Sequence, residues 1–130
     1  MTIFNRTAGM MMLAILISLA AAGCHKEEKT VSYSQDVKPI IDKYCVECHL
    51  PGGKGYVASG FDIESYDHLM AGTRNGPMII AGDSLGSNML VLMEGRADPS
   101  IKMPHGKPVG ATQEELDTIR LWIDQGAQNN

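Results

Sequence analysis

The sequence predicts a small all-α domain of about four short helices. Three observations carry that expectation. Two segments repeat apolar residues every three or four positions, the period of one helix face. Serine or threonine stands where a helix would need an N-cap. No stretch alternates apolar and polar residues for long enough to make a half-buried strand. The chain has 130 residues, 44% hydrophobic and 20% charged, which fits one globular domain around a single core.

The first helix opens at Ser34 as N-cap, and Val37, Ile40, Ile41 and Tyr44 fall at i, i+3, i+4 and i+7 as one apolar stripe. It ends in the stretch "KYCVECHLPG". The following "LPGGKGYVASG" reads as a glycine-rich loop and "FDI" as extended chain. A short helix opened by Ser65 closes near Gly72. Another covers about residues 85 to 94, with Leu85, Met89, Leu92 and Met93 on one side. Three prolines keep "GRADPSIKMPHGKPVG" from being a long helix. The last helix opens with the capping-box residues Thr112 to Glu115 and runs to Gln125 before Gly126; Leu116, Ile119, Trp122 and Ile123 form its buried face.

Ahead of the domain, Arg6 and a short apolar run read as an export signal over residues 1–23. "LAAAGC" resembles a bacterial lipobox, which makes Cys24 a lipidated first residue, although Ala21 stands where that pattern prefers leucine. The alternative is ordinary secretion with cleavage after Ala20-Ala21-Ala22, which leaves Cys24 as an odd free thiol in an oxidising compartment. On the lipoprotein reading, residues 24–33 are the lipidated cysteine and a polar tether, reaching about 30 Å when extended, and residues 34–130 are the domain. The expected location is the periplasm or cell envelope, anchored to a membrane through the lipid. The net charge of −4 loses one cation, Arg6, with the signal. An acidic domain this small is a poor ligand for nucleic acid, which rewards clustered Lys and Arg.

Cys45, Cys48 and His49 stand at i, i+3 and i+4, so on a helical turn all three side chains share one face. Two thiols and an imidazole so placed suit one covalent haem c: the thiols add to the porphyrin vinyl groups and the imidazole ligates the iron. Cys-x-x-Cys-His is the signature of that attachment. Three plainer readings compete. A thioredoxin-like pair belongs at the start of a helix after a strand, whereas this pair ends a helix. A zinc site needs four ligands, and only His68 and His105 remain to complete it. A structural disulfide explains the thiols but not the histidine.

From about Tyr33 to Ala127 the chain resembles class I cytochrome c, most closely the planctomycete-type cytochrome c domain. The resemblance rests on "CVECH", "FDIESYDHLMAG", "NGPMIIAGDSLGSNML", "KMPHG" and "EELDTIRLWIDQGA". It implies that the first and last helices cross and pack, with Tyr44 and Trp122 near the contact. It also implies that Met103 is the distal iron ligand opposite His49. Two departures stand out: Ala81-Gly82-Asp83 where the family often has Pro-Gly-Asp, and Met103-Pro104-His105 where it often has Met-Pro-Pro, which puts a competing imidazole two residues from the expected ligand.

The function so implied is single-electron transfer by a membrane-tethered periplasmic c-type cytochrome. Its partners would be redox proteins, with no small-molecule substrate and no enzymatic turnover of its own. Met70, Met89 and Met93 lie on helical apolar stripes and read as core fillers, whereas Met103 sits in a proline-rich loop. Were Met103 not a ligand, the open distal side would suit a peroxidase or a sensor of small gases. A third reading makes the chain the haem subunit of a larger oxidoreductase complex. Arg74, Asn75 and Asn88 are candidate donors to haem propionates, although each such residue is more often simply a solvated loop or helix residue.

Overall fold

The chain enters the domain earlier than its polarity suggests. The computed structural model describes residues 29–130; the signal segment and Cys24 lie outside the described residues. Val31 and Tyr33, which the sequence reading puts in the tether, are buried, and the Gln125 side chain accepts from the Val31 N–H at 2.9 Å.

A π-helical turn, Tyr33–Val37, leads directly into helix α1, Lys38–His49. Ser32 caps the turn, its hydroxyl accepting from the Gln35 N–H. Ser34, the expected cap, instead donates to the Asn130 carbonyl. The expected apolar stripe is present: Val37, Ile40 and Ile41 are buried and Tyr44 packs against the core.

Helix α2, Lys54–Ser59, occupies the stretch expected to be loop. Glycines lower helix propensity, but the local hydrogen bonding is complete. Gly60 closes the helix in the left-handed region at φ 75°, the Ser59 hydroxyl donates to the Gly55 carbonyl, and Arg74 donates to the carbonyls of Val57 and Ala58. Those end carbonyls would otherwise have no partner. Helix α3, Tyr66–Ala71, begins and ends as expected, with Ser65 capping through the His68 N–H and Gly72 at the other end.

Helix α4, Asn88–Met93, is shorter than the expected 85–94. Leu85 lies outside it and is exposed. The turn before α4 accounts for this, since Asp83 accepts from the Gly86 N–H at 2.8 Å and the buried Ser87 hydroxyl donates to the Asp83 carbonyl at 2.7 Å. Local side-chain bonds of this kind compete with helix. Helix α5, Gln113–Asp124, carries the full capping box between Thr112 and Glu115 and buries Leu116, Ile119, Trp122 and Ile123 as its periodicity predicts. The described residues thus form an all-α domain of five short α-helices with no strand.

The two ends of the domain meet through the π turn. Tyr33 stacks on Trp122, with ring centroids 5.5 Å apart, and meets Tyr66 edge-on at 5.2 Å. Tyr44 meets the last helix through its hydroxyl, which donates to Glu115 at 2.8 Å. Lys43 reaches the other oxygen of that carboxylate, also at 2.8 Å. The Lys43 hydrogen bond first, then the Thr112 N–H, hold the Glu115 carboxyl down at about 2. This clasp fixes the middle of α1 to the start of α5.

Candidate functional site

The last turn of α1 delivers Cys45, Cys48 and His49 to one wall of a cavity of about 730 Å³. Met103 and His105, from the proline-rich loop, line the same cavity, as do Phe61, Met78, Met89 and Met93. The size lies within the range of small-molecule and cofactor pockets, and the sulfur and aromatic lining is largely apolar. Arg74, Asn75 and Asn88 do not line it. Nor does His68, which pairs with Asp62 at 2.9 Å on the outer surface, so the four-ligand zinc set of the sequence reading is not brought together.

His49 is held from several directions. It is buried, its Nδ1 lies 3.2 Å from the Phe61 carbonyl oxygen, and its ring meets the Phe61 ring edge-on with centroids 5.2 Å apart. Burial lowers the imidazole pKa, and the Phe61 carbonyl opposes that only in part. The neutral ring with Nδ1–H donated to a carbonyl leaves the Nε2 lone pair free, the arrangement of a metal-bound histidine.

The thiols are equally telling. Both are free. Burial first, then the charges of Asp42 and Cys48, push Cys45 up to about 12, so it remains a protonated thiol. A zinc thiolate or a thioredoxin-type nucleophile needs an environment that lowers the pKa, and this wall does the opposite. The protonated Cys45 thiol, a second free thiol at Cys48 and a neutral imidazole on an apolar wall fit covalent haem attachment.

The opposite wall is lighter. Met103 is half-buried and is tied to α4 by its own N–H, which donates to the Leu92 carbonyl at 3.1 Å. The Met103–Pro104 peptide is cis. Lys107 reaches across to Glu47, next to Cys48 on α1, in an ion pair between the two walls. The same loop also lines a second cavity of about 220 Å³, bounded by Pro99, Lys102, Pro108 and Gly110.

Compared with known proteins, residues 45–105 match the family model described as Planctomycete cytochrome C. Over this stretch the chain is similar to planctomycete-type cytochrome c domains. No curated protein and no solved structure matches the chain. That family similarity supports a c-type cytochrome and implies haem binding. The match begins at the first cysteine of the attachment motif and ends at His105 of the distal loop, so it spans both walls of the cavity.

Four contributors to the cavity are not legible as such in the sequence. Phe61 reads only as extended chain, Met78 carries no periodic signal, and Met89 and Met93 read as core fillers, whereas these two are buried and also line the cavity. The glycine-rich stretch that follows the cysteine motif was the one available signal that backbone packs closely there.

Proposed function

We propose that this cytochrome domain carries single electrons through one covalent haem c, attached at Cys45 and Cys48 and ligated by His49 and Met103. We further propose that Cys24 is lipidated and tethers it to a membrane in the periplasm or cell envelope. The observation that carries the reading is the single apolar cavity shared by the Cys-x-x-Cys-His turn and the loop bearing Met103. The match of residues 45–105 to the planctomycete cytochrome c family model supports it.

When bound, haem supplies an iron that changes by one electron. The chain's own residues do the rest. Phe61 keeps the Nδ1 proton of His49 in place, which fixes the tautomer and leaves Nε2 as donor. Met103 offers a thioether, and two side-chain ligands on opposite walls leave no position for a substrate. Phe61, Met78, Met89 and Met93 exclude water from the pocket, which favours the less charged ferrous state and so raises the potential. With no substrate site, the natural partners are other redox proteins.

Optical spectra test this reading on protein matured in a host with haem-c machinery. The expected result is a covalent, six-coordinate, low-spin haem that does not take up carbon monoxide when reduced. Uptake of carbon monoxide by the wild-type protein would favour the peroxidase or gas-sensor alternative. For the anchor, wild-type protein should fractionate with membranes and Cys24→Ala should not, because stable anchoring needs at least two lipid signals. Fully soluble wild-type protein would point to ordinary secretion.

A further inference from the structure

Helix α2 meets His49 through a glycine. A Cβ on Gly55 would stand 2.6 Å from Cε1, 2.8 Å from Nε2 and 2.9 Å from Nδ1 of the imidazole. Ordinary carbon contacts lie at about 3.5–4.0 Å, so a single methyl group cannot be added without moving the ring or the helix. The ring has little room to yield, since it is only 9% exposed and Phe61 holds it through both its carbonyl and its aromatic edge.

Nothing in the backbone asks for glycine here. Gly52 and Gly60 on either side of α2 have φ of +88° and +75°, whereas Gly55 lies inside the helix without a positive φ. At such a position alanine is the better helix former. Local propensity therefore argues against Gly55, and the contact with the imidazole argues for it.

We infer that Gly55 is a positioning residue for His49: its bare Cα lets α2 lie on the imidazole and fixes where Nε2 presents its lone pair. The inference rests on His49 being the iron ligand proposed above. A side chain at this position would press on the ring edge that includes Nε2 and would loosen the Nδ1–H bond to Phe61. Weaker donation from Nδ1–H to its carbonyl makes the imidazole a poorer donor to iron.

The test compares Gly55→Ala with Val57→Gly in the full-length, haem-loaded protein. Val57 is on the same helix but 64% exposed and does not line the cavity. Gly55→Ala should raise the reduction potential, move the hyperfine-shifted His49 ring resonances of the ferric protein, and lower Tm although alanine favours helix. Val57→Gly should lower Tm but keep the wild-type potential and resonances. Failure of Gly55→Ala alone to mature with haem would support the same conclusion. The inference is overturned by wild-type potential and resonances in Gly55→Ala, by equal shifts in both variants, or by failure of both to mature. The parent reading fails separately, if wild-type protein holds no covalent haem or its ferric spectrum shows no histidine ligand.

Discussion

On the cysteine side of the cavity each functional group is gripped by regular structure, while on the methionine side a loop does the work with few restraints. His49 closes a twelve-residue helix, α1, and is packed against α2 and Phe61. The Glu115 clasp holds the middle of the same helix to α5. Met103 sits between the 3₁₀ turn Pro99–Ile101 and the flexible-backbone residue Gly106, with one backbone hydrogen bond to α4 and one surface ion pair to α1. On the proposed reading, attachment and proximal ligation would thus be built into the core, and distal ligation would be supplied by a segment that can move with less loss of packing. Local stability follows such differences in buried contact.

The sharpest break in this comparison removes the cysteine wall. Changing both Cys45 and Cys48 to Ala should prevent covalent haem retention, leaving Met89, Met93 and Phe61 to face an unfilled apolar cavity of about 730 Å³. Apolar surface left in water forfeits about 25 cal/mol per Å², and a small domain has little stability in reserve. The double variant should lose its near-ultraviolet circular dichroism and its cooperative thermal transition. A sharp transition close to that of the holoprotein would mean that the five helices hold themselves together without the haem.

Next in size is the methionine wall. Met103→Ala should leave the haem attached and the fold cooperative, because the segment carries few core contacts. It should abolish the long-wavelength sulfur-to-iron band of the ferric protein, lower the potential and admit carbon monoxide to the ferrous haem. His105→Ala should change none of the three appreciably. The reverse pattern would move the distal ligand from the thioether to the exposed imidazole, and the lower potential of bis-histidine ligation would go with it.

The same contrast explains what the sequence makes legible. α1, α3 and α5 are readable because each pairs a strong periodic stripe or a cap with a clear stop: Ser65 with Gly72, Thr112 and Glu115 with Gln125. The Cys-x-x-Cys-His face is readable because its spacing is local to one helical turn. α2 is not, since its glycines score as loop and what stabilises it comes from outside, through Arg74 on its last carbonyls and the imidazole beneath Gly55. Leu85 misleads because an apolar residue in helical register is overruled by the Asp83 and Ser87 turn bonds. Tyr33 reads as part of the tether, yet it stacks on the Trp122 indole. Contacts between distant segments leave no periodic trace, so they are the part that only coordinates reveal.

A smaller effect on the cysteine side should appear in acid. The Glu115 carboxyl is held at about 2 against an ordinary 4.5, chiefly by Lys43. Because the folded value is the lower one, the stabilisation is fully present above about pH 4.5 and is lost as the pH falls towards 2. Glu115→Gln should lower Tm at pH 7 and flatten the fall of Tm between those two values. An unchanged slope would place the acid sensitivity in other carboxylates. The distal loop does not touch this clasp, so the Met103 absorption band should persist in Glu115→Gln at neutral pH.

The smallest expected effect belongs to the ion pair that joins the two walls. Lys107 and Glu47 lie on opposite sides of the cavity, and the pair raises the lysine pKa and lowers that of the carboxyl through their shared hydrogen bond. Both side chains are substantially exposed, 37% for Lys107 and 72% for Glu47, so water and salt screen the attraction. If this pair helps hold the Met103 loop closed, Lys107→Ala should bind added imidazole at the ferric haem more tightly than wild type, by about twofold at low ionic strength. The difference should vanish near 1 M salt, where the Debye length is about 3 Å. Tm should barely change, since the loop contributes little to the core. A salt-independent increase would instead implicate the packing of the lysine stem against the loop. No increase at any salt would leave the Met103 N–H bond to Leu92 as the principal restraint on the distal wall.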